Sequence, residues 1–133
     1  MVDRDARTSE GAPSVIAVAG RTVREAEQTA AIRREEAFAG DDRWVGLVSG
    51  EPGAWSGWHH HAETDTYFYV LRGSVMLEYG TDGQTMRVGA GEFGHVPARL
   101  VHRERTAPGA RSELVLVRIG RGPSVVNVDG PGA

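Results

Sequence analysis

Three consecutive histidines, His59, His60 and His61, lie inside the chain between a Trp/Gly-rich approach and an aromatic run, in "GAWSGWHHHAETDTYFYVLRG". Histidine clusters at a terminus serve as purification tags; an internal run before a strand calls for another use. In a strand, residues two apart share a face, so His59 and His61 point together and His60 points away. Two same-face imidazoles offer nitrogen ligands of the kind that mid-row divalent cations prefer. His60 is then expected behind the ligands or at the surface. A third imidazole, His102, lies in "GEFGHVPARLVHRERT", where Pro97 ends one strand before the next, and an antiparallel neighbour would carry it across. Asp65 is the nearest following carboxylate with an approach to the same place.

Composition narrows the chemistry further. Cysteine is absent, which excludes disulfides, thiolate zinc sites, iron–sulfur clusters and a cysteine nucleophile, so any metal sits on nitrogen and oxygen. The net charge is -3 and no basic segment stands apart from acids, so no nucleic-acid partner is expected. No apolar run approaches the ~18 residues of a membrane span, and the start "MVDRDARTSEGAPS" lacks a signal-peptide core, so no membrane partner and a cytoplasmic location are expected. No serine sits in a nucleophile elbow and no glycine-rich phosphate loop is present.

The elements that would position these histidines are short strands. The chain has 133 residues, the size of one domain, and its 18 glycines favour many turns. Residues 1–12 read as a flexible tail and 13–133 as a single β domain. "SVIAVAG" reads as a short strand, and residues 21–40 as a turn or helical piece followed by a strand. From Arg43 onward, "RWVGLVSG", "TYFYVLRG", "SVMLEYG", "QTMRVG", "GEFGHVP", "LVHRERT" and "ELVLVRIG" are β-rich runs cut by glycine or proline. Arg72-Gly73 and the "GTDG" at 80–83 are read as tight hairpins, which implies an antiparallel meander in a sandwich or barrel.

On these residues the chain resembles the cupin superfamily, whose motifs read G-x5-H-x-H-x(3,4)-E-x6-G and G-x5-P-x-G-x2-H-x3-N. Gly53, His59, His61 and Gly73 match the first, and Gly91, Pro97 and His102 the second. The runs "PGAWSGWHHH" and "GPSVVNVDGP" are also similar to small single-domain bacterial cupins of the quercetin-dioxygenase-like kind. Departures fall at Asp65, where the family has glutamate, at Arg99, where it has glycine, and at Thr106, where it has asparagine. The resemblance implies an all-β jelly-roll barrel of two antiparallel sheets. It also implies a divalent metal held by His59, His61, Asp65 and His102: iron(II) in the first instance, with manganese, zinc, nickel, cobalt or copper as alternatives. A homodimer is expected too, paired through "ELVLVRIG" or the strand near residue 15 by an edge or a face.

Four further residues are read as site candidates. Tyr67 and Tyr69 share the parity of Asp65 and would line the pocket with their phenols, and His95 shares inward parity with Phe93. Arg99, with Arg103, would hold an anionic substrate near the mouth. Trp55 and Trp58 are read as core packing or a rim platform, and Arg33, Arg34, Glu35 and Glu36 as a solvated face. The leading functional expectation is a metal-dependent, dioxygenase-like oxidation of a small organic substrate, with dioxygen as co-substrate. A redox-neutral isomerase or lyase and a non-catalytic metal or small-molecule binding module are the alternatives.

Overall fold

Among the described residues ten strands form, rich in residues that suit a pleated sheet, and burial alternates along them with period two. In Ser112–Ile119, buried Ser112, Leu114, Leu116 and Arg118 alternate with the more exposed Glu113, Val115, Val117 and Ile119. A computed structural model describes residues 11–17, 29–123 and 125–132. Its strands are β1 (Ile32–Gly40), β2 (Arg43–Gly50), β3 (His59–His60), β4 (Asp65–Arg72), β5 (Ser74–Tyr79), β6 (Gln84–Gly89), β7 (Phe93–Val96), β8 (His102–Thr106), β9 (Ser112–Ile119) and β10 (Val126–Asn127). They pair antiparallel in two five-stranded sheets, β1-β2-β9-β4-β7 and β10-β3-β8-β5-β6. The architecture is an all-β jelly roll, and no helix occurs among the described residues.

This order corrects the expected meander. β4 and β5 lie in opposite sheets, so the turn at Gly73 is a corner between sheets and not a hairpin. Gly73 takes φ 75°, and a Cβ there would stand 2.8 Å from the Arg111 carbonyl oxygen, so the corner requires glycine. The "GTDG" hairpin does form: β5 and β6 pair from Tyr79↔Gln84, and the Gly83 N–H donates to the Gly80 carbonyl. β1 is the strand expected after residue 31, with a bulge between Glu36 and Phe38. Residues 14–17 carry no strand, while residues 1–10 of the expected tail, 18–20 of "SVIAVAG" and the possible helical piece at 21–28 lie outside the described residues.

The core fills the space between the sheets with Val48, Phe68, Val70, Leu114 and Leu116 from one and Val75, Leu77 and Val88 from the other. At one end Trp44 lies across Gly46, where a Cβ would stand 2.4 Å from the indole ring, and its Nε1–H donates to Glu36 Oε1 at 3.2 Å. The outer face of the first sheet is unusually apolar: Tyr67, Leu71, Phe93, Val115 and Ile119 are all exposed there, Phe93 by 80%. β9 pairs with β2 on one side and β4 on the other, so the run "ELVLVRIG" has no free edge, and only its face is open to a partner. No helix among the described residues is long and apolar enough to cross a membrane.

Candidate metal centre

Two ligand-bearing segments converge because the chain from Gly53 to His59 is stitched along β8. The Gly53 N–H donates to the Thr106 carbonyl and the Ser56 N–H to the Glu104 carbonyl, while Ser56 Oγ accepts the Glu104 N–H at 2.9 Å. His59 then pairs directly with His102. His61 lies just past β3 in a turn closed by Thr64, whose N–H and hydroxyl both donate to the His61 carbonyl. Facing this turn is the one that precedes His102. The Arg99 N–H donates to the Ala62 carbonyl at 2.8 Å, and both residues sit in the left-handed region, at φ 64° and 50°.

The result is a buried cluster. His59, His61, His102 and Glu104 each present one donor atom, all within 4.8 Å of one another. The three imidazole centroids are 4.4 to 5.1 Å apart. All three rings are at most 2% exposed.

Hydrogen bonding behind the rings sets which nitrogen faces the centre. His59 Nδ1 lies 2.9 Å from the Gly57 carbonyl and His102 Nδ1 2.8 Å from the Leu100 carbonyl. A carbonyl only accepts, so Nδ1 carries the proton and the Nε2 of a neutral ring turns a lone pair inward. Inward stands Glu104 Oε1, 3.2 Å from His102 Nε2 and 3.6 Å from His59 Nε2. His59 Nε2 is buried with no hydrogen-bond partner among the described residues. Acceptors that converge on one point, one of them buried and unsatisfied, fit a cation at that point.

The electrostatics agree. Burial lowers the His59 pKa and outweighs the opposing pull of Glu104. Burial also opposes ionisation of Glu104, but the influence of the adjacent His102 and His59 prevails and holds its carboxyl well below the usual range. Neutral imidazole beside ionised carboxylate is the protonation pattern that a divalent ion requires.

The carboxylate is therefore Glu104, and the expectation for Asp65 is corrected. Asp65 Oδ1 accepts from His95 Nε2 at 2.9 Å and from the Ala98 N–H, on the outer side of β4. In β4 the buried residues are Thr66, Phe68 and Val70, so Asp65, Tyr67 and Tyr69 face outward. Tyr67 stacks on His95 at 4.6 Å and Tyr69 lies against Phe93 at 4.8 Å, which takes Tyr67, Tyr69 and His95 out of the pocket. Arg99 pairs with Glu63 at 3.2 Å on the surface, its side chain 72% exposed. Arg103 also faces outward, bonded to Glu78 and stacked at 4.3 and 4.9 Å on Trp55 and Trp58, so the two tryptophans bind the histidine-bearing segment to β8 from outside. The missed signal was period two itself: Glu104 follows His102 by two residues in β8.

Inside the barrel, a cavity of about 10 Å³ touches the cluster. It is lined by His61 and Glu104 together with Thr66, Phe68, Arg34 and Arg118. Arg118 also borders an open pocket of about 190 Å³ at the barrel end, beside Glu36, Trp44 and Thr64.

Known proteins share this fold. The sequence profile of the cupin domain matches residues 46–120. The chain belongs to the cupin family. This cupin is similar in structure to a protein with a double-stranded β-helix domain from Klebsiella pneumoniae subsp. pneumoniae MGH 78578. That likeness has 18% identity and TM-score 0.68, and covers 89% of this chain and all of the other. The polyketide cyclase RemF from Streptomyces resistomycificus is 26% identical with TM-score 0.67, over 96% of this cupin and 86% of the cyclase. Oxalate decarboxylase from Bacillus subtilis is 20% identical with TM-score 0.63, and the match covers 77% of this cupin and 29% of the decarboxylase. Its centres are described as Mn(II) centres. No curated protein matches the sequence significantly.

Proposed function

We propose that this cupin is a metal-dependent enzyme that transforms a small organic molecule at His59, His61, His102 and Glu104, with iron(II) as the ion and dioxygen as co-substrate. The observation that carries the metal reading is the inward Nε2 of His59, buried without a hydrogen-bond partner beside Glu104. Three imidazoles and one carboxylate leave coordination positions open, and the cavity of about 10 Å³ beside them has room for about one water-sized ligand. When bound, the ion supplies Lewis acidity and, if it is iron, electrons for oxygen chemistry. The chain's own residues do the rest. Gly57 and Leu100 aim two rings through their carbonyls, Glu104 offsets part of the ion's charge, and Phe68 gives the cavity an apolar wall.

A second reading, redox-neutral chemistry at the same centre, is favoured by the likeness to a polyketide cyclase along nearly the whole chain. Manganese or zinc would serve it equally. Metal analysis of protein purified without added ions, followed by oxygen-electrode assays over a substrate panel, separates the two. Oxygen uptake that needs both metal and substrate supports the first; turnover unchanged under strict anaerobiosis supports the second. A protein that binds no transition metal removes both. We further propose that the chain is a homodimer, packed through the outer face of the first sheet where Tyr67, Leu71, Phe93, Val115 and Ile119 are exposed.

A further inference from the structure

The inner face of β8 carries three polar side chains in a row, His102, Glu104 and Thr106, because residues two apart in a strand point the same way. His102 faces the candidate metal centre. On the other side of Glu104, Thr106 Oγ1 and Ser112 Oγ share a hydrogen bond of 2.8 Å. Both residues are buried, 4% and 1% exposed, and glycine makes room for them: a Cβ at Gly50 would overlap Thr106 Oγ1 and stand 2.8 Å from Ser112 Oγ. With Ser49 they line a second cavity of about 10 Å³, whose other walls include Val75 and Leu114. Among the described residues, Glu104 is the one polar side chain that borders both this cavity and the one that touches His61.

Donors and acceptors do not balance around this second cavity. The carbonyls behind His59 and His102 take the Nδ1 protons, so both Nε2 atoms meet Glu104 Oε1 as acceptors, and an ionised carboxylate only accepts. No hydrogen-bond donor among the described residues reaches Glu104 Oε2. The hydroxyls have the opposite surplus. The bond between Thr106 and Ser112 uses one of that pair's two protons, and Ser49 Oγ accepts from Arg111 Nη2 at 2.9 Å, which leaves the Ser49 proton unused. A carboxylate short of donors thus shares a cavity with hydroxyls short of acceptors, and the cavity has about the volume that one water needs. Water donates and accepts, so a single molecule satisfies both walls.

We propose that Ser49, Thr106 and Ser112 hold a water molecule on Glu104 Oε2, and that this water fixes the carboxylate so that Oε1 faces the ion. This deepens the function proposed above and rests on the same centre. Thr106 and Ser112 are then positioning residues: they act on the ion through Glu104. Without the water the carboxylate turns about its last bond, a torsion with a broad minimum, and the ion meets a less ordered ligand.

The test joins crystal structures of the unmodified protein, metal-free and zinc-loaded, at a resolution that shows ordered water, to chelator competition for zinc on two variants. The expected result is one water at about 2.7–3.0 Å from Glu104 Oε2 and from at least two of the three hydroxyls in each crystal. Thr106→Val removes the hydroxyl and keeps the branched shape, and should weaken zinc binding about 10-fold, the low end for a group behind a ligand. Thr106→Ser keeps the hydroxyl and should stay within about 3-fold of the parent. A packing role would reverse that order, because serine gives up a methyl group and valine does not. Absence of the water from either crystal would overturn the proposal. So would Thr106→Val that binds zinc as tightly as the parent, or Thr106→Ser that binds it as weakly as Thr106→Val. The water is read in the unmodified protein, so a folding defect in a variant does not shield the proposal. If the unmodified protein takes up no metal, the function proposed above fails, and the metal-free crystal alone still decides whether Glu104 holds this water.

Discussion

Replacing Glu104 with glutamine separates its role in the metal site from its role in the fold, because the substitution weakens the first and leaves the second nearly unchanged. The amide keeps the carboxylate's shape and loses its charge. In the metal-free protein, Glu104 Oε1 faces the Nε2 atoms of His102 and His59 at 3.2 and 3.6 Å. A glutamine amide N–H donates to such a lone pair, and the buried negative charge disappears. Stability without metal should therefore stay within about 1 kcal/mol of the parent, since replacing a buried ion by a neutral group of equal volume is often neutral or favourable. Metal binding loses a charged donor, which costs about 1.5–3 kcal/mol, or roughly 10- to 150-fold in affinity.

Asp65→Asn is the matching control. Asp65 and His95 are both nearly half exposed, and their ion pair contributes at most about 1 kcal/mol and nothing to the cluster. Competition with a chromophoric chelator gives the affinities, and urea titration of the metal-free proteins gives the stabilities. Glu104→Gln that keeps the parent's metal affinity, with Asp65→Asn that loses it, would refute the assignment of the carboxylate and the β4 parity behind it.

Three other outcomes follow from the same contacts. Arg99→Gly should stabilise the protein by about 1 kcal/mol, read as a raised melting temperature, because φ 64° is strained for arginine and the exposed pair with Glu63 returns little. In the metal-free protein, the unfolded chain protonates His59 near 6.5 and Glu104 near 4.5, whereas both folded-state values are lowered, so the unfolded state holds more protons as the pH drops. Stability should be full above pH 6.5, fall below it as His59 is protonated in the unfolded chain, and fall again below 4.5, with Glu104→Gln abolishing the second loss in urea titrations across pH. Phe93→Glu should convert the proposed dimer to monomer in sedimentation velocity without changing metal content; a parent that sediments as a monomer at micromolar concentration removes the dimer proposal.

What was legible in the sequence was whatever depended on period and spacing inside one strand. His59 and His102 are separated by most of the fold, yet each stands in a motif with fixed distances to Gly53, Gly91 and Pro97, and the structure pairs them directly. Glu104 was equally accessible, because it sits two residues from His102 in an unbroken strand. Asp65 misled because it stands where the family has glutamate, yet a turn in which Ala62 takes φ 50° separates it from His61 and Asp65 enters β4 on its outer parity. The run Tyr67–Leu71 gave no correction, since it is apolar on both faces and reads alike in either register. Gly73 was ambiguous for a different reason: positive φ serves a hairpin and a corner between sheets equally well, and only the Arg111 backbone packed against it decides.

The interior arginines mark the limit of pattern reading most clearly. A charged residue at an alternating position is ordinarily solvated, and in β1 the neighbours Arg33 and Arg34 are chemically identical while one is exposed and the other buried. Which is which depends on a register set by β2, where Arg34 pairs with buried Val48, and in β9 on Arg118 falling opposite Trp44 and Thr66. Those pairings are long-range and carry no local signature. The histidines were found because a metal needs several donors of one type at set spacings, which leaves a repeated mark in the chain. Arg34 and Arg118 carry no such mark, so their burial became visible only when the sheets were closed around them.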